Sequence, residues 1–440
     1  MRVDCTAMSG DRAIGGSGES GFDGAMRLAV VCGKFPAFSE TFISEMAARL
    51  VGLGHGVRVM ASRRGRGVVH PEVERWGLMD LARYRPRRSE LVRGGLSRVG
   101  RSVLRSPGSV SPWVFGAGAL SLRGAFAAAP WVEEERAGGA FDAAVCHFGP
   151  NAALACRLRR AGAIDRRTAI VAIFHGIDAI SISAGDLREV EREADGVYAV
   201  SHFLRDRVIE RGMPADRIGV QRMGTDLARF PASEVSGLGP EGELRLVFVG
   251  RLIRYKACDV LIEAIGMLPE EVRGRVRLTV MGDGDMRGVL EARASALGLG
   301  GVVSFLGAVP QTEVLERLRD AHALVIPSVT IPGERFEGLG LVAAEAMSAG
   351  RAVIGSDDGG IPEMVIDGET GLRVRPGDAV SLAAAIERLS REPTLAAELG
   401  TGARAFMEGG EFDASVAIGV LDLRLRELVA ARRERCGVGA

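Results

Sequence analysis

Short apolar runs alternate with longer amphipathic segments along most of the chain, beginning at Met26. In the first half, the apolar runs predict strands at 27–33, 57–61, 143–148, 169–174, 196–200 and 218–223. In the second half, they predict strands at 244–250, 276–281, 302–306, 323–327, 352–356 and 371–375. The segments between them predict helices, among them 39–53, 151–161, 201–212, 258–268, 284–297, 311–321, 338–349 and 378–391. This alternation is typical of open α/β domains with parallel sheets.

Two such domains are expected, because the segment 231–243 is rich in Gly, Ser, Pro and Glu and has the composition of a linker. The predicted division is a disordered extension at 1–25, an N-terminal domain at 26–235, a C-terminal domain at 236–408 and a closing segment at 409–440. The closing segment contains a last helix, at about 411–434, that we expect to return to the first domain. Ligands of doubly wound sheets bind beyond the carboxyl ends of the strands, so a cleft is expected there.

The overall composition is that of an ordinary globular protein. Hydrophobic residues make up 47% of the 440 residues, charged residues make up 25%, and the formal net charge is zero. Nothing in this balance favours a nucleic acid as a partner. The six cysteines are scattered without a C-x-x-C pair, which favours reduced thiols, a cytoplasmic location and no structural zinc. No apolar run reaches the roughly 18 residues that a membrane-spanning helix needs.

Only two lysines occur among the many basic residues, Lys34 and Lys256, so the position of each is informative. Arg251 and Lys256 follow the strand predicted at 244–250 and precede a predicted helix start. Two cations beside free N–H groups would form a cradle for a diphosphate. A solvated basic loop would have the same composition.

A second candidate site lies in 336–347, which reads FEGLGLVAAEAM. It follows the apolar run at 323–327 and is expected to open a helix, whose first N–H groups favour an anion. Glu337 and Glu345 are eight residues apart, which corresponds to about 12 Å along an ideal helix. This spacing suits the two ends of an elongated ligand with phosphates at the glycines between them, although two glutamates on a helix usually form a solvated face.

Other strand ends also carry polar side chains. His175 follows the strand predicted at 169–174 and precedes a glycine, so we expect it to face the cleft. His147 ends another strand, where a structural role and a position lining the cleft are both open. The string at 283–285 reads D-G-D, follows a strand directly and precedes a helix. We therefore interpret it as a turn and expect no metal site.

Together these motifs resemble those of one enzyme family. The E-x7-E spacing at 337–345, the VGRLIRYKACD segment at 249–259 and the HGID element at 175–178 resemble retaining glycosyltransferases of family 4. Ala257 replaces the glycine that is usual there, and Met223 replaces a frequent asparagine in a later loop. The opening at 35–43, which reads FPAFSETFI, resembles an exopolysaccharide branch that includes colanic acid transferases.

The resemblance implies a GT-B fold, in which two Rossmann-like, doubly wound parallel-sheet domains face each other across a cleft. The first domain would face the acceptor, and the second would bind the nucleotide sugar. The implied reaction is a retaining, hexosyltransferase-type transfer of a sugar from a nucleotide-diphosphate sugar to an acceptor hydroxyl, without a cofactor. The acceptor would be a carbohydrate or lipid-linked molecule in cell-surface polysaccharide or glycolipid biosynthesis. The implied residues are His175 and Glu337 for catalysis and Arg251, Lys256, Gly338, Leu339, Gly340 and Glu345 for donor binding.

Three alternatives stay open: transfer to a soluble small-molecule acceptor, nucleotide-sugar epimerisation, and regulation by a nucleotide-sugar-binding protein without turnover. The region 83–105 adds a question about membranes, because it holds eight arginines and one acid, Glu90, and is followed by Trp113 and Phe115. This composition predicts either a solvated basic insertion or a peripheral membrane contact with anionic lipid at the inner face.

Overall fold

The computed structural model describes residues 24–37, 40–65, 71–85, 130–135, 137–231, 238 and 242–437. The extension expected at 1–25 and the basic segment with its following aromatic residues, 83–115, lie outside the described residues apart from their edges. Among the helices that are described, none has both the length and the apolar composition that crossing a bilayer requires.

The first half of the chain forms a parallel sheet. Its strands are Arg27–Phe35 (β1), Gly56–Arg64 (β2), Ala82–Tyr84 (β3), Ala143–His147 (β4), Ala169–Phe174 (β5), Gly196–Ala199 (β6) and Gly219–Val220 (β7). Their order in the sheet is β3-β2-β1-β4-β5-β6-β7. Every residue of β4 and β5 is buried, as expected for central parallel strands with helices on both faces.

Two edge strands of this sheet differ from the sequence prediction. The short strand β3 was not predicted, because three residues are too few to show a period. The strand predicted at 218–223 shortens to β7, since Gln221 and Arg222 turn toward later parts of the chain.

The second half forms a parallel sheet of six strands. They are Leu244–Val249 (β8), Val276–Met281 (β9), Val303–Gly307 (β10), Ala323–Ile326 (β11), Ala352–Ser356 (β12) and Gly371–Val374 (β13). Their order is β10-β9-β8-β11-β12-β13, and each strand corresponds to one that the sequence predicts. The chain therefore contains two doubly wound sheets, one within each proposed domain.

Helices cover the faces of both sheets. They are Thr41–Gly52, Pro71–Arg75, Gly149–Arg160, Asp178–Ser181, Ala184–Glu193, His202–Glu210, Cys258–Met267, Glu270–Arg273, Arg287–Ala296, Gln311–Asp320, Leu341–Ser348, Ala379–Arg391, Leu395–Met407 and Ala414–Arg435. Residues 130–135 are also helical, and Arg254–Lys256 and Ile361–Glu363 form 3-10 turns. Each helix expected from the sequence is present, with its ends shifted by a few residues.

One of these shifts changes the geometry of the candidate site. The helix predicted at 338–349 is Leu341–Ser348, because Gly340 has a φ of +82°, a left-handed conformation that a right-handed helix excludes. Glu337 therefore lies in the loop before the helix. The distance along an ideal helix was thus the wrong description of how Glu337 and Glu345 are separated.

The last helix, Ala414–Arg435, packs against the first sheet. Asp422 lies 2.8 Å from Nε2 of His55. Arg424 donates hydrogen bonds of 2.8 Å to the backbone oxygen of Val220 and to Oε1 of Gln221. Leu421 and Leu425 of this helix are buried. The chain thus returns from the second sheet to the first before it ends.

The two domains meet at the amino end of the helix His202–Glu210. Ser201 caps this helix by accepting the N–H of Leu204 at 3.1 Å, and its hydroxyl donates to the backbone oxygen of Gly338 at 2.6 Å. Glu363 of the second domain accepts the backbone N–H groups of His202 and Phe203 at 3.0 and 2.8 Å. Because Ser201 closely follows β6 and Gly338 lies beyond β11, these contacts turn the carboxyl ends of the two sheets toward each other.

Candidate active site

A cavity of about 750 Å³ lies between the carboxyl ends of the two sheets. A volume of this size is typical of a binding site for a small molecule. The structure brings together at this cavity all eight residues that the sequence singled out, which are His175, Arg251, Lys256, Glu337, Gly338, Leu339, Gly340 and Glu345. Seven of them lie in loops or turns that follow strands of the two domains, and Glu345 lies in the helix Leu341–Ser348, as the position of a ligand in doubly wound sheets requires.

Lys256 and Glu337 form an ion pair in the wall of the cavity. Nζ of Lys256 donates to Oε2 of Glu337, and each side chain is only 14% exposed. Burial by itself would lower the pKa of Lys256, but the charge of Glu337 and the hydrogen bond to it raise the pKa above its ordinary value. Lys256 is therefore a cation throughout the physiological range, already neutralised by a carboxylate. An anionic ligand would share this cation with Glu337.

Arg251 is the second cation at the cavity. It follows β8 directly and is exposed, with Nη2 lying 3.5 Å from the hydroxyl of Tyr255. The 3-10 turn Arg254–Lys256 then carries the chain back to place Lys256 opposite Glu337. Arg251 and Lys256 thus approach the cavity from one loop, although only Lys256 is ion-paired with Glu337.

Two positions between Glu337 and the helix require glycine, each for a different physical reason. A Cβ atom on Gly338 would lie 2.7 Å from the backbone oxygen of His175, so this position must be glycine for the two domains to approach. Gly340 is the residue before the helix Leu341–Ser348 and needs its positive φ. The first N–H groups of that helix have no partners within it, and Leu341 and Val342 line the cavity. This helix start favours an anion.

Glu345 lies one turn into the same helix and belongs to a polar network that joins the domains. Gln311 donates through Nε2 to Oε1 of Glu345 at 3.2 Å, and its Oε1 accepts from Arg229 at 2.9 Å. Arg229 of the first domain also lies 4.0 Å from Glu45. Burial, followed by the charge of Glu45, raises the pKa of Glu345 to about 7. Burial likewise raises the pKa of Glu45 to about 7.

His175 is surrounded by rings. Its Nε2 lies 2.9 Å from Nδ1 of His147, and Phe42 stacks on it with ring centroids 4.6 Å apart. Phe148 packs against it at 5.0 Å. Burial lowers the pKa of His175 well below its ordinary value, and the neighbouring His147 lowers it further. His175 is therefore neutral, and a neutral imidazole can form hydrogen bonds with a ligand but cannot attract it as a cation.

Comparison with known proteins decides the family. Residues 39–229 match the family model described as Glycosyltransferase Family 4, and residues 232–406 match the model described as Glycosyl transferases group 1. The glycosyltransferase WcaL of Salmonella typhimurium, which is named for colanic acid biosynthesis, is 30% identical over 386 residues. The alignment covers 83% of this chain and 91% of WcaL. The chain belongs to glycosyltransferase family 4.

Two further comparisons agree with this family 4 assignment. The amylovoran biosynthesis glycosyltransferase AmsK of Erwinia amylovora is 28% identical over 407 residues, which cover 89% of this chain and 97% of AmsK. The crystal structure of Anabaena HepE in complex with UDP superimposes with a TM-score of 0.69 at 18% identity, over 91% of this chain and 100% of HepE. With its two parallel-sheet domains, the family 4 chain has the GT-B fold that the sequence predicted.

The structure also shows residues of this family 4 glycosyltransferase that the sequence reasoning gave no role. Asp178 accepts the backbone N–H groups of Gly149, His175 and Gly176 at 3.0, 3.2 and 2.8 Å. It thereby ties the loop after β5 to the loop after β4. The HGID element contained this residue, and its three-residue spacing from His175 was the available signal. No local pattern pointed to Gln311 or Arg229.

The positions of His147 and of the D-G-D string differ with respect to the cavity. His147 does not line the cavity of this family 4 chain; it is fully buried behind His175. In the D-G-D string, Asp283 accepts the N–H of Gly284 at 2.8 Å and pairs with Arg287, so it stabilises a turn at the start of a helix. Among the described residues, no group of three His, Cys, Asp or Glu side chains is placed to hold a metal ion.

Proposed function

We propose that this family 4 glycosyltransferase transfers a hexose, with retention of configuration, from a nucleoside-diphosphate sugar to a hydroxyl of a carbohydrate or lipid-linked acceptor. The product would belong to a cell-surface polysaccharide or glycolipid. The observation that carries the proposal is one cavity in which Lys256, Glu337 and Glu345 surround the start of the helix Leu341–Ser348. The names of WcaL and AmsK, and the UDP bound to HepE, support the choice of substrates.

The diphosphate would lie at the helix start between Arg251 and Lys256. As the bond from the sugar to the phosphate breaks, negative charge grows on the leaving diphosphate. Cations and N–H groups held in fixed positions at the cavity stabilise that charge more strongly than water does. Lys256 is held in place by Glu337 before the donor arrives, so little reorganisation of its side chain is needed.

The two glutamates would bind the groups on either side of the diphosphate, which are the ribose and the transferred sugar. Glu345 would accept hydrogen bonds from the ribose hydroxyls, since a carboxylate can accept two vicinal hydroxyls. Glu337 lies next to Lys256 and the helix start, where it would contact the transferred sugar. Neutral His175 would form a hydrogen bond with a hydroxyl of that sugar from the opposite domain.

Retention would follow from reaction on one face of the sugar. The acceptor oxygen bonds to the anomeric carbon on the face that the diphosphate leaves, and the leaving phosphate oxygen takes the proton of the acceptor hydroxyl. The proposal therefore needs positioning and charge stabilisation from the protein, which the cavity residues can supply.

The direct test is a panel of UDP-sugars and GDP-sugars incubated with simple sugar and polyprenyl-phosphate-sugar acceptors. Mass spectrometry identifies a transferred hexose, and the anomeric proton coupling of the product shows whether configuration is retained. An inverted anomer would contradict the retaining mechanism. Formation of an epimerised nucleotide sugar, or tight donor binding without any turnover, would favour one of the two rival functions.

A lipid-linked acceptor would place the enzyme at the inner face of the membrane through peripheral contact. The basic region 83–105 with Trp113 and Phe115 carries this part of the proposal, and it extends beyond the described residues. Each arginine near an anionic surface would contribute about 1 kcal/mol, less at high salt. Co-sedimentation with anionic vesicles should therefore be salt-sensitive. A protein that stays in the supernatant even at low salt would favour a soluble acceptor.

A further inference from the structure

His147 is a buried histidine that the proposed mechanism does not use. It ends β4, its ring is fully buried, and Nδ1 lies 2.9 Å from Nε2 of His175. The other ring nitrogen of His147, Nε2, is buried and has no hydrogen-bonding partner among the described residues. The contact with His175 is thus the one polar contact that the described structure gives to the His147 side chain.

Both rings are neutral at physiological pH. Burial lowers the pKa of His147 to about 3, and burial together with His147 lowers the pKa of His175 well below its ordinary value. Two neutral imidazoles that share one contact must divide the roles, because one nitrogen has to donate and the other has to accept. The tautomer of one ring therefore determines the tautomer of the other.

The unpartnered nitrogen of His147 favours one of the two tautomer pairs. If His147 carries its proton on Nδ1, its buried Nε2 is an unprotonated acceptor. If the proton is on Nε2, a donor is buried without an acceptor, and such orphaned N–H groups are rare in native structures. The first arrangement makes Nε2 of His175 the acceptor and leaves the proton of His175 on Nδ1.

The turn that carries His147 is held in a specific conformation. The next residue, Phe148, has a φ of +71°, a left-handed conformation that is uncommon for a bulky side chain. Asn151 fixes the turn by donating from Nδ2 to the backbone oxygen of His147 at 2.8 Å. The ring of Phe148 then packs on His175. Two consecutive residues at the end of β4, His147 and Phe148, therefore contact the ring of His175. Strained backbone of this kind is common at functional sites.

We propose that His147 is a positioning residue for the transfer reaction: it donates a hydrogen bond from Nδ1 to Nε2 of His175 and thereby holds His175 as the tautomer that offers Nδ1–H to the transferred sugar. This inference rests on the proposed function, in which His175 contacts that sugar. His147 itself touches no substrate. Its effect is to fix the ring orientation and the donor character of a cavity residue.

Three substitutions of His147 separate the hydrogen bond from packing. The amide of His147→Asn can place an N–H where Nδ1 was, whereas the longer His147→Gln places its amide nearer the position of Nε2. His147→Leu fills the space without a hydrogen bond. A positional error of about 1 Å costs about 100-fold in rate, so we expect kcat to fall about 10- to 100-fold for the Leu and Gln variants. The Asn variant should stay within about threefold of wild type.

The kinetic measurement uses UDP-glucose and GDP-mannose as probes, with kcat obtained from nucleotide release and UDP affinity obtained by calorimetry. UDP affinity should be unchanged, because the diphosphate-binding loops belong to the other domain. His55→Leu is the matched control: His55 is also buried and hydrogen-bonded, to the N–H of Met26 at 3.1 Å, but does not line the cavity. It should lower the melting temperature without lowering kcat. A Leu variant with wild-type kcat, or an Asn variant as slow as a folded Leu variant, would overturn the proposal.

A second measurement does not depend on turnover. The chain has six histidines, so selective ¹⁵N labelling with a His175→Gln variant for assignment can report the tautomer of His175. We expect Nδ1 to be protonated and Nε2 to be unprotonated in the wild type, with exchange between tautomers in His147→Leu. Protonation on Nε2 in the wild type would contradict the proposal. If no sugar nucleotide is turned over, the proposed function fails while this measurement still decides the relation between the two histidines.

Discussion

The charge of Lys256 is already part of an ion pair in the ligand-free protein. Glu337 pairs with the ammonium group of Lys256, so a donor diphosphate bound there as proposed would be a second anion beside the same cation. Arg251, in contrast, is exposed at the end of β8. At the scale of single residues, Lys256 is thus preorganised by an ion pair, and Arg251 supplies an exposed charge.

Removing the charge of Lys256 should slow transfer strongly. In Lys256→Met the stem is retained, and the loss of one contact to the developing diphosphate charge should cost about 2–4 kcal/mol of barrier. Steady-state kinetics should show kcat reduced about 30- to 1000-fold. The matched control is Arg254→Ala, because Arg254 is exposed in the same turn and is not among the described residues that line the cavity. Comparable losses in both variants would show that the effect is not specific to the site.

The raised pKa of Glu345 predicts pH-dependent donor binding. With a pKa of about 7, the side chain gains its charge between pH 6 and pH 8 in the ligand-free enzyme. In the proposed role the carboxylate would accept two ribose hydroxyls, whereas the protonated form has one oxygen occupied by a proton. The donor KM should therefore fall as pH rises across this window. Glu345→Gln should remove most of the dependence, and a wild-type KM that is flat between pH 6 and pH 8 would contradict it.

The raised pKa of Glu345 affects stability in the opposite direction: stability falls as pH rises, whereas donor binding is expected to strengthen. The folded pKa of Glu345 is raised from 4.5 to about 7, so the folded protein binds this proton more tightly than the unfolded chain. The stabilising contribution is present below about pH 4.5 and is lost as pH rises to about 7. Relative to the wild type, Glu345→Gln should thus raise the melting temperature more at pH 8 than at pH 5. Equal effects at the two pH values would mean that Glu345 is not titrating in this range.

At the scale of elements, the turn between β8 and the helix Cys258–Met267 explains why an unusual alanine is tolerated. Ala257 has a φ of +50° and is buried, so its methyl group is packed while its backbone is left-handed. The strain costs about 1–2 kcal/mol. Burial of one methyl group stabilises the folded protein by about 0.8 kcal/mol. Alanine also stabilises it by about 0.4–1 kcal/mol relative to glycine, because it restricts the conformations of the unfolded chain. These contributions nearly cancel.

Replacing Ala257 with a smaller or a larger residue should therefore change the stability of the protein by unequal amounts. Ala257→Gly should change the free energy of unfolding by less than about 1 kcal/mol, since the three contributions offset each other. Ala257→Val should cost more than about 2 kcal/mol, because a β-branched residue is poorly accommodated at positive φ. Denaturant titration followed by circular dichroism measures both. A valine variant as stable as the glycine variant would show that this turn adjusts without strain.

At the scale of the whole molecule, Glu363 links the second domain to the first. Its carboxylate accepts two N–H groups at the start of the helix His202–Glu210 and pairs with buried Arg222. The negative charge lies at the positive end of that helix, which stabilises it further. Glu363 is not among the described residues that line the cavity, so it affects the site through the arrangement of the domains.

Glu363→Ala should destabilise the protein without weakening donor binding. Two N–H groups at the helix start and a buried guanidinium would lose an acceptor, which should cost about 1–3 kcal/mol. The control is Glu411→Ala, because Glu411 also forms an ion pair with Arg222 but is 57% exposed. That variant should cost less than about 1 kcal/mol. The measurements are melting temperature and nucleotide affinity; a Glu363→Ala variant with reduced affinity at unchanged stability would contradict the structural role.

The sequence by itself determined most of the secondary-structure elements and indicated eight residues that line the cavity. Apolar runs of strand length gave the main strands of both sheets, and the residues just after those runs line the cavity because parallel strands end on one side of a sheet. Chain order was enough for this, since a strand end is a local feature. The helix that begins at Leu341 instead of residue 338 shows the limit, because the conformation of Gly340 sets its start.

Only the tertiary structure decided how these residues act on one another. His147 and His175 are 28 residues apart, and Glu363 and His202 are 161 residues apart, and no local period or spacing signals either contact. Gly338 must be glycine because the backbone of His175 from the other domain comes close to it. The histidine contact depends on β4 and β5 lying side by side in one sheet, whereas the contacts of Glu363 and Gly338 depend on how the two sheets are oriented. Neither arrangement is encoded in the hydrophobic pattern of any one segment.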